Sequence, residues 1–80
     1  MPVKLVFLGR LEDAAGAADR DVAAAETLDA LIAALEPELA AELRQDRIRL
    51  ALNGVLRRPG EIEALRDGDE LAFLPPVSGG

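Results

Sequence analysis

One stretch limits the architecture of this chain more than any other. Leu28, Leu31, Ile32 and Leu35 fall at i, i+3, i+4 and i+7, an apolar stripe broad enough to lie on one face of a sheet. Thr27 precedes it as a candidate N-cap, and Asp29 sits near the positive end of the helix dipole. The flanking segments alternate with period two instead. Val3, Leu5 and Phe7 alternate with Lys4, Val6 and Leu8; Ile48, Leu50 and Leu52 with Arg49, Ala51 and Asn53; and Leu71 and Phe73 with Glu70 and Ala72. One stripe covers one side of one sheet. The expected architecture is therefore a single α+β domain, a mixed sheet of about five strands packed on one main helix.

The connections follow from local chemistry. Gly9 closes the first strand. Arg10 to Ala15 could form a helical turn before Gly16, but the alanine-rich run through Ala18 lacks large side chains to anchor it, so a mobile loop is expected there. Asp19 to Ala25 reads as a weak strand with Val22 its only large apolar residue, paired in a hairpin with the first strand. Pro37 suits the first turn of a second short helix carrying Leu39 and Leu43 one turn apart. Asn53-Gly54 is a strong hairpin signal, with a short return strand over Val55 to Arg57. Pro59-Gly60 then bends the chain, and Ile62 and Leu65 are spaced for a single helical turn that would plug the open end of the core. Asp67-Gly68-Asp69 supplies a tight turn into the last strand, which Pro75-Pro76 ends.

Composition excludes several classes of function. The 80 residues include no Cys, His or Tyr, so disulfides, thiolate metal ligands and most of the usual general bases and nucleophiles are missing. No side chain can carry a persulfide. Carboxylates and a single lysine, Lys4, remain. Asp67 and Asp69 read as turn formers, and Glu12, Asp13, Glu36, Glu38 and Glu42 as solvent-facing charges. Autonomous catalysis is not expected, nor is a bound metal or other cofactor. The net charge of -6 disfavours nucleic acid and anionic membranes and favours a basic protein partner. Phe7 and Phe73 alone offer little for base stacking. The longest apolar run, Leu5 to Leu8, is far short of a membrane span, and no leader is evident, so a soluble cytoplasmic protein is expected.

The domain is expected to cover residues 1–76, with 77–80 as a C-terminal tail. A terminal Gly-Gly is in itself compatible with a frayed end. Here two prolines precede it and favour an extended path that aims Val77, Ser78, Gly79 and Gly80 away from the body. With no Cβ on its last two residues, such an arm can enter a channel too narrow for other side chains, and it presents one reactive group, the Gly80 carboxylate. From Pro76 to Gly80 an extended chain spans at most about 16 to 18 Å.

The closing segment, Gly68-Asp69-Glu70 through Phe73-Leu74-Pro75-Pro76-Val77-Ser78 to Gly79-Gly80, closely resembles the C-terminus of the molybdopterin synthase small subunit, a ubiquitin-like sulfur carrier. The opening Lys-apolar-apolar-Phe run, the loop ending in Gly16, the Thr27-Leu28 helix start and the Ala51-Leu52-Asn53 hairpin recur in the same order, so the resemblance covers essentially the whole length. Only the closing segment is specific. Similarity to the thiamine-pathway sulfur carrier is weaker, because that family is generally shorter and reaches its diglycine without a Pro-Pro pair. The implied fold is the β-grasp, with the first and last strands parallel at the centre of the sheet.

The implied chemistry belongs to Gly80: an acyl-adenylate, then a thiocarboxylate. The first would be formed by an adenylating enzyme that consumes ATP, the second with a sulfur donor. A larger synthase subunit, assembled with this one as a heterotetramer, would use the sulfur to build the dithiolene of molybdopterin. Pro75, Pro76, Val77, Ser78 and Gly79 would thread the partner's channel. Leu8 and Leu74 point away from the core by alternation, and Leu56 matches an apolar position that the family sets against the large subunit, so these three are the expected interface anchors. The family often carries Phe where this chain has Leu8 and Leu74, which implies a smaller or reshaped pocket on the partner. Other destinations stay open: a sulfur carrier for a cysteine-forming or thiazole-forming acceptor, a ubiquitin-like modifier joined to lysines through Gly80, or an interaction domain with an accidental diglycine.

Overall fold

The computed structural model describes residues 2–76. Nine short elements follow one another: β1 (Val3–Phe7), α1 (Arg10–Ala15), β2 (Asp19–Val22), α2 (Leu28–Ala33), α3 (Pro37–Leu43), β3 (Arg49–Leu52), β4 (Val55–Arg57), a 3-10 turn (Pro59–Glu61) and β5 (Glu70–Leu74). The strands form one sheet in the order β2-β1-β5-β3-β4. β1 and β5 run parallel at its centre, with Leu5 opposite Leu71 and Phe7 opposite Phe73, and every other pairing is antiparallel. This is the expected β-grasp arrangement.

Alternation decides which side chains are buried. Val3, Leu5, Phe7, Leu50, Leu71 and Phe73 all point to the inner face and are buried. The Phe7 and Phe73 rings stack there with centroids 5.7 Å apart and planes 9° from parallel, a geometry that adds to the area they bury. Leu28, Leu31, Ile32, Leu35, Leu39 and Leu43 cover them from the helical layer. Each such side chain stabilises the fold by roughly 1.5 to 3 kcal/mol relative to exposure, before ordering entropy. No polar side chain is buried among the described residues.

The helical layer is divided among three pieces. Thr27 caps α2, its Oγ1 accepting a hydrogen bond from Ala30 N–H at 3.0 Å. Pro37 opens α3 at its first turn, so the stripe helix ends after two turns and Leu35 is buried just beyond it. The third piece corrects the loop expected over residues 10–18. Arg10–Ala15 is an α-helix closed by Gly16 in the left-handed conformation, φ 80°. Its anchor is Leu11, fully buried, with Ala15 also buried. The alanine-rich composition hid a segment that Leu11, with the small Ala15, docks on the core.

The expected helical turn over Ile62 to Leu65 is likewise not formed. The turn lies upstream at Pro59–Glu61, where the Glu61 carboxylate accepts from Arg58 N–H at 2.8 Å, and Ile62 is extended. Ile62 and Leu65 are nevertheless buried and close that end of the core, and Leu65 exchanges backbone hydrogen bonds with Ala25. The weak second strand is shorter than expected, ending at Val22, with Ala25 held by this isolated bridge. The Asn53-Gly54 turn is as anticipated, with φ of 51° and 84°, the left-handed pair that a two-residue hairpin requires.

Candidate functional site: the sheet's outer face and the end of the last strand

The end of β5 is where the candidate site begins. Parallel pairing with β1 continues past the strand ends, as Leu8 N–H donates to Phe73 C=O at 3.1 Å. Pro75 follows and packs over Gly9. A Cβ placed on Gly9 would lie 2.9 Å from Pro75 Cγ, and Gly9 has φ 54°, a conformation disfavoured for residues with a Cβ. The missing side chain of Gly9, just past β1, therefore makes room for the proline that follows β5. Pro75 and Pro76 are half-buried. Gly80, with Val77, Ser78 and Gly79, lies outside the described residues.

The turn before β5 fixes its other end. Gly68 adopts φ 93°, as a tight turn requires. Asp69 Oδ2 accepts from Arg66 N–H at 2.9 Å and Oδ1 from Asn53 Nδ2 at 3.0 Å, while Asn53 Oδ1 accepts from Glu70 N–H at 2.9 Å. The Arg66 N–H, followed by the Asn53 amide, holds the Asp69 carboxyl below the usual carboxylate range. Asp69 is thus a turn former that also ties the β3–β4 hairpin to the central strand.

The outer face of the sheet brings the three anchors onto one surface. Val6, Ala72, Ala51 and Leu56 stand in register across β1, β5, β3 and β4, with Leu74 one step further along β5. Leu8 is 41% and Leu56 67% exposed, and Leu74 and Val6 are half-buried. The two alanines form a shallow saddle between larger apolar side chains. Pairing register places them there, which no single strand reveals. Leu56 lies two strands from β5, about 9.5 Å at ordinary strand spacing, so the three leucines spread over the face and do not form one cluster.

Glu36 is paired rather than merely solvent-facing: the Arg20 guanidinium grips it with bonds of 2.6 and 3.0 Å. The Arg20 hydrogen bond holds the Glu36 carboxyl below its ordinary range, and the same bond raises the Arg20 guanidinium. Glu42 is half-buried, a further departure from full exposure. Among the described residues no group of acidic side chains is placed to hold a metal ion. No described helix is long and apolar enough to cross a membrane.

Comparison with known proteins decides the family. The model of the ThiS family matches residues 5–80. The chain belongs to the ThiS family. Its sequence is 36% identical to the molybdopterin synthase sulfur carrier subunit of Chlamydomonas reinhardtii over an 85-residue alignment covering all of both chains. Among solved structures it resembles small archaeal modifier protein 1 of Methanosarcina acetivorans, with TM-score 0.78, 28% identity and coverage of 98% of this chain and 95% of the other. A chain from the complex of subunits 1 and 2 of the molybdopterin-converting factor of Helicobacter pylori 26695 matches with TM-score 0.70 and 29% identity, both chains being covered fully. The resemblance read in the closing segment is borne out, and this ThiS-family chain is a ubiquitin-like sulfur carrier in fold and type.

Proposed function

We propose that this ThiS-family chain carries sulfur on its C-terminal glycine as the small subunit of a molybdopterin synthase. The carrying observation is a last strand held mid-sheet whose sequence continues through two prolines to a diglycine. β5 is locked at the centre of the sheet, Pro75 is seated on Gly9, and the sequence then closes on Gly79-Gly80. The likeness to the Chlamydomonas carrier subunit and to the Helicobacter complex of two subunits supports this destination.

A carboxylate is a poor electrophile because its charge is delocalised. An adenylating enzyme would join the Gly80 carboxylate to AMP from ATP, releasing pyrophosphate, and hydrosulfide supplied by the donor would then form the C–S bond as the C–O bond to AMP breaks, leaving a thiocarboxylate and AMP. A thiocarboxylate is more acidic than a thiol, so it is ionised and nucleophilic at neutral pH without a neighbouring base. That suits a chain without His or Cys. The larger synthase subunit would dock on Leu8, Leu56 and Leu74 while residues 75–79 thread its channel.

Intact-mass measurement after incubation with the adenylating enzyme, ATP and a sulfur donor tests the chemistry, the expected result being exchange of one terminal oxygen for sulfur. Addition of the large subunit and the pterin precursor should then yield dithiolene. Deleting Gly80, adding one residue after it, or Gly79→Ala should each reduce transfer by orders of magnitude with little change in melting temperature. One added residue displaces the reacting group by about 3.3 to 3.6 Å, beyond the tolerance of a near-attack geometry. Near-normal transfer from the extended chain would sink the assignment. The likeness to small archaeal modifier protein 1 favours a second reading, conjugation to lysines of other proteins through Gly80. Ladders of higher-mass conjugates in place of the sulfur exchange would establish it.

A further inference from the structure

A second feature of the described residues lies where the helices meet the β3–β4 hairpin. It is a groove of about 560 Å³ between α2, α3 and the β3–β4 hairpin. Its floor is apolar, lined by the buried side chains of Ile32, Leu43 and Ile62, and its rim carries Arg44, Arg49, Arg57 and Arg58. Four of the nine basic residues of the chain line it, against only Asp29 and Asp46 of the fifteen acidic ones. Asp29 already accepts a bond from Arg44 at 3.2 Å. Arg49, Arg57 and Arg58 have no carboxylate within ion-pair distance among the described residues. In a chain of net charge -6, this groove thus carries twice as many arginines as carboxylates on its rim, three of them without an ion-pair partner among the described residues.

We propose that this groove docks an acidic segment of a partner protein, one carrying carboxylates for the arginine rim and an aliphatic anchor for the floor. Charge complementarity selects the occupant. The guanidinium is weakly hydrated and matches a carboxylate with two donors, so arginines around an apolar floor gain more from such a partner than lysines would. The volume admits a few side chains and no large globular surface. A nucleic acid is a poorer fit, since Asp29 and Asp46 stand on the same rim and no aromatic side chain lines the groove for base stacking. The rim strand β4 ends the sheet, pairing only with β3, and its free edge offers an extended segment backbone hydrogen bonds. A smaller hollow of about 290 Å³ continues from the groove past Arg58 and Glu61 to Leu56. One partner could therefore hold both the groove and the saddle, with acidic and apolar parts meeting at β4. This inference does not depend on the fate of Gly80.

The test uses the full chain and a fluorescein-labelled peptide of alternating Glu and Leu, with Lys-Leu and Glu-Ser peptides as comparisons. Binding is read by anisotropy and mapped by backbone NMR shifts. The Glu-Leu peptide is expected to bind best, to weaken with salt, and to shift the amides of Ile32, Leu43 and Ile62. The double variant Arg57→Glu/Arg58→Glu should weaken it at least about tenfold with an unchanged melting curve, while Lys4→Glu/Arg10→Glu, an equal change in net charge away from the groove, should not. Equal loss in both double variants, shifts confined to Val6 and Leu74, equal binding of the Lys-Leu peptide, or tighter binding of single-stranded DNA or of anionic vesicles than of the Glu-Leu peptide would each overturn it. So would absence of binding at millimolar peptide.

Discussion

The two faces of the central sheet are written in the same strands, one residue apart, and have opposite fates. On the inner face Leu5, Phe7, Leu71 and Phe73 are almost wholly buried, and the two rings stack. On the outer face the same β1 and β5 present Val6, Ala72 and Leu74, with Leu56 exposed at the edge of the saddle. An apolar residue on the inner face meets the helical layer of its own chain. On the outer face it is covered only in part, Val6 and Leu74 being half-buried and Leu56 exposed, and no described helix lies over it. Apolarity alone therefore does not mark a core position; the difference lies in which face the chain's own helices cover, and the uncovered one is the candidate docking surface.

The comparison breaks most readily at Phe73. Phe73→Ala removes a buried ring and leaves a cavity beside Phe7, and such changes cost about 3 to 5 kcal/mol. For a small domain whose whole stability is of order 5 to 15 kcal/mol, urea unfolding should show a much lower midpoint. The fraction still folded should keep its affinity for a large subunit. Loss of that affinity in folded protein would mean the two faces are not independent.

The converse variants sharpen it. Leu56→Asp and Leu74→Asp place a charge on the outer face, where Leu56 is 67% exposed. Leu56→Asp should change stability by no more than about 0.5 kcal/mol, as for most surface substitutions, and Leu74→Asp by somewhat more because its side chain is half-buried. Association measured calorimetrically should weaken by about 2 kcal/mol or more for a buried anchor. Unchanged binding with unchanged melting would remove the face from the proposal.

Much of this was legible because alternation and the i, i+3, i+4, i+7 stripe are local signals with one dominant reading. Leu28, Leu31 and Ile32 are buried where the stripe puts them, and Asn53-Gly54 forms its turn because few other residues accept left-handed backbone twice in succession. α1 was missed because it is held by tertiary packing, with Leu11 and Ala15 buried in the core, and not by composition. The saddle could not be read either. Ala51 and Ala72 gain meaning only from being opposite one another, and the distance from Arg44 to Arg57 along the chain conceals that they line one groove. The seat of Pro75 on Gly9 had a sequence signal, a glycine closing the strand, but not one that named its partner.

The smallest effect expected concerns what holds both faces in register. Asp69 ties the β3–β4 hairpin to β5 through Asn53 and caps its own turn at Arg66 N–H. Its carboxyl is held below the ordinary Asp value of about 3.9 in the folded chain, so the folded state binds that proton less readily than the unfolded one. The contribution is complete above the unfolded value and is lost as pH falls through the folded one. Glu36 acts with the same sign through Arg20, but that pair is exposed and salt should screen it, whereas the backbone donor to Asp69 is less sensitive. Unfolding midpoints measured from pH 5 downward at high salt should therefore decline, and Asp69→Asn should flatten the decline while lowering stability slightly at neutral pH. Partner affinity at neutral pH should survive in Asp69→Asn if the hairpin keeps its register, since Asn53 still bonds Glu70 N–H. An equally steep acid decline in the variant would show that the carboxylate contributes nothing, and lost affinity with retained stability would show that Leu56 is positioned by this turn.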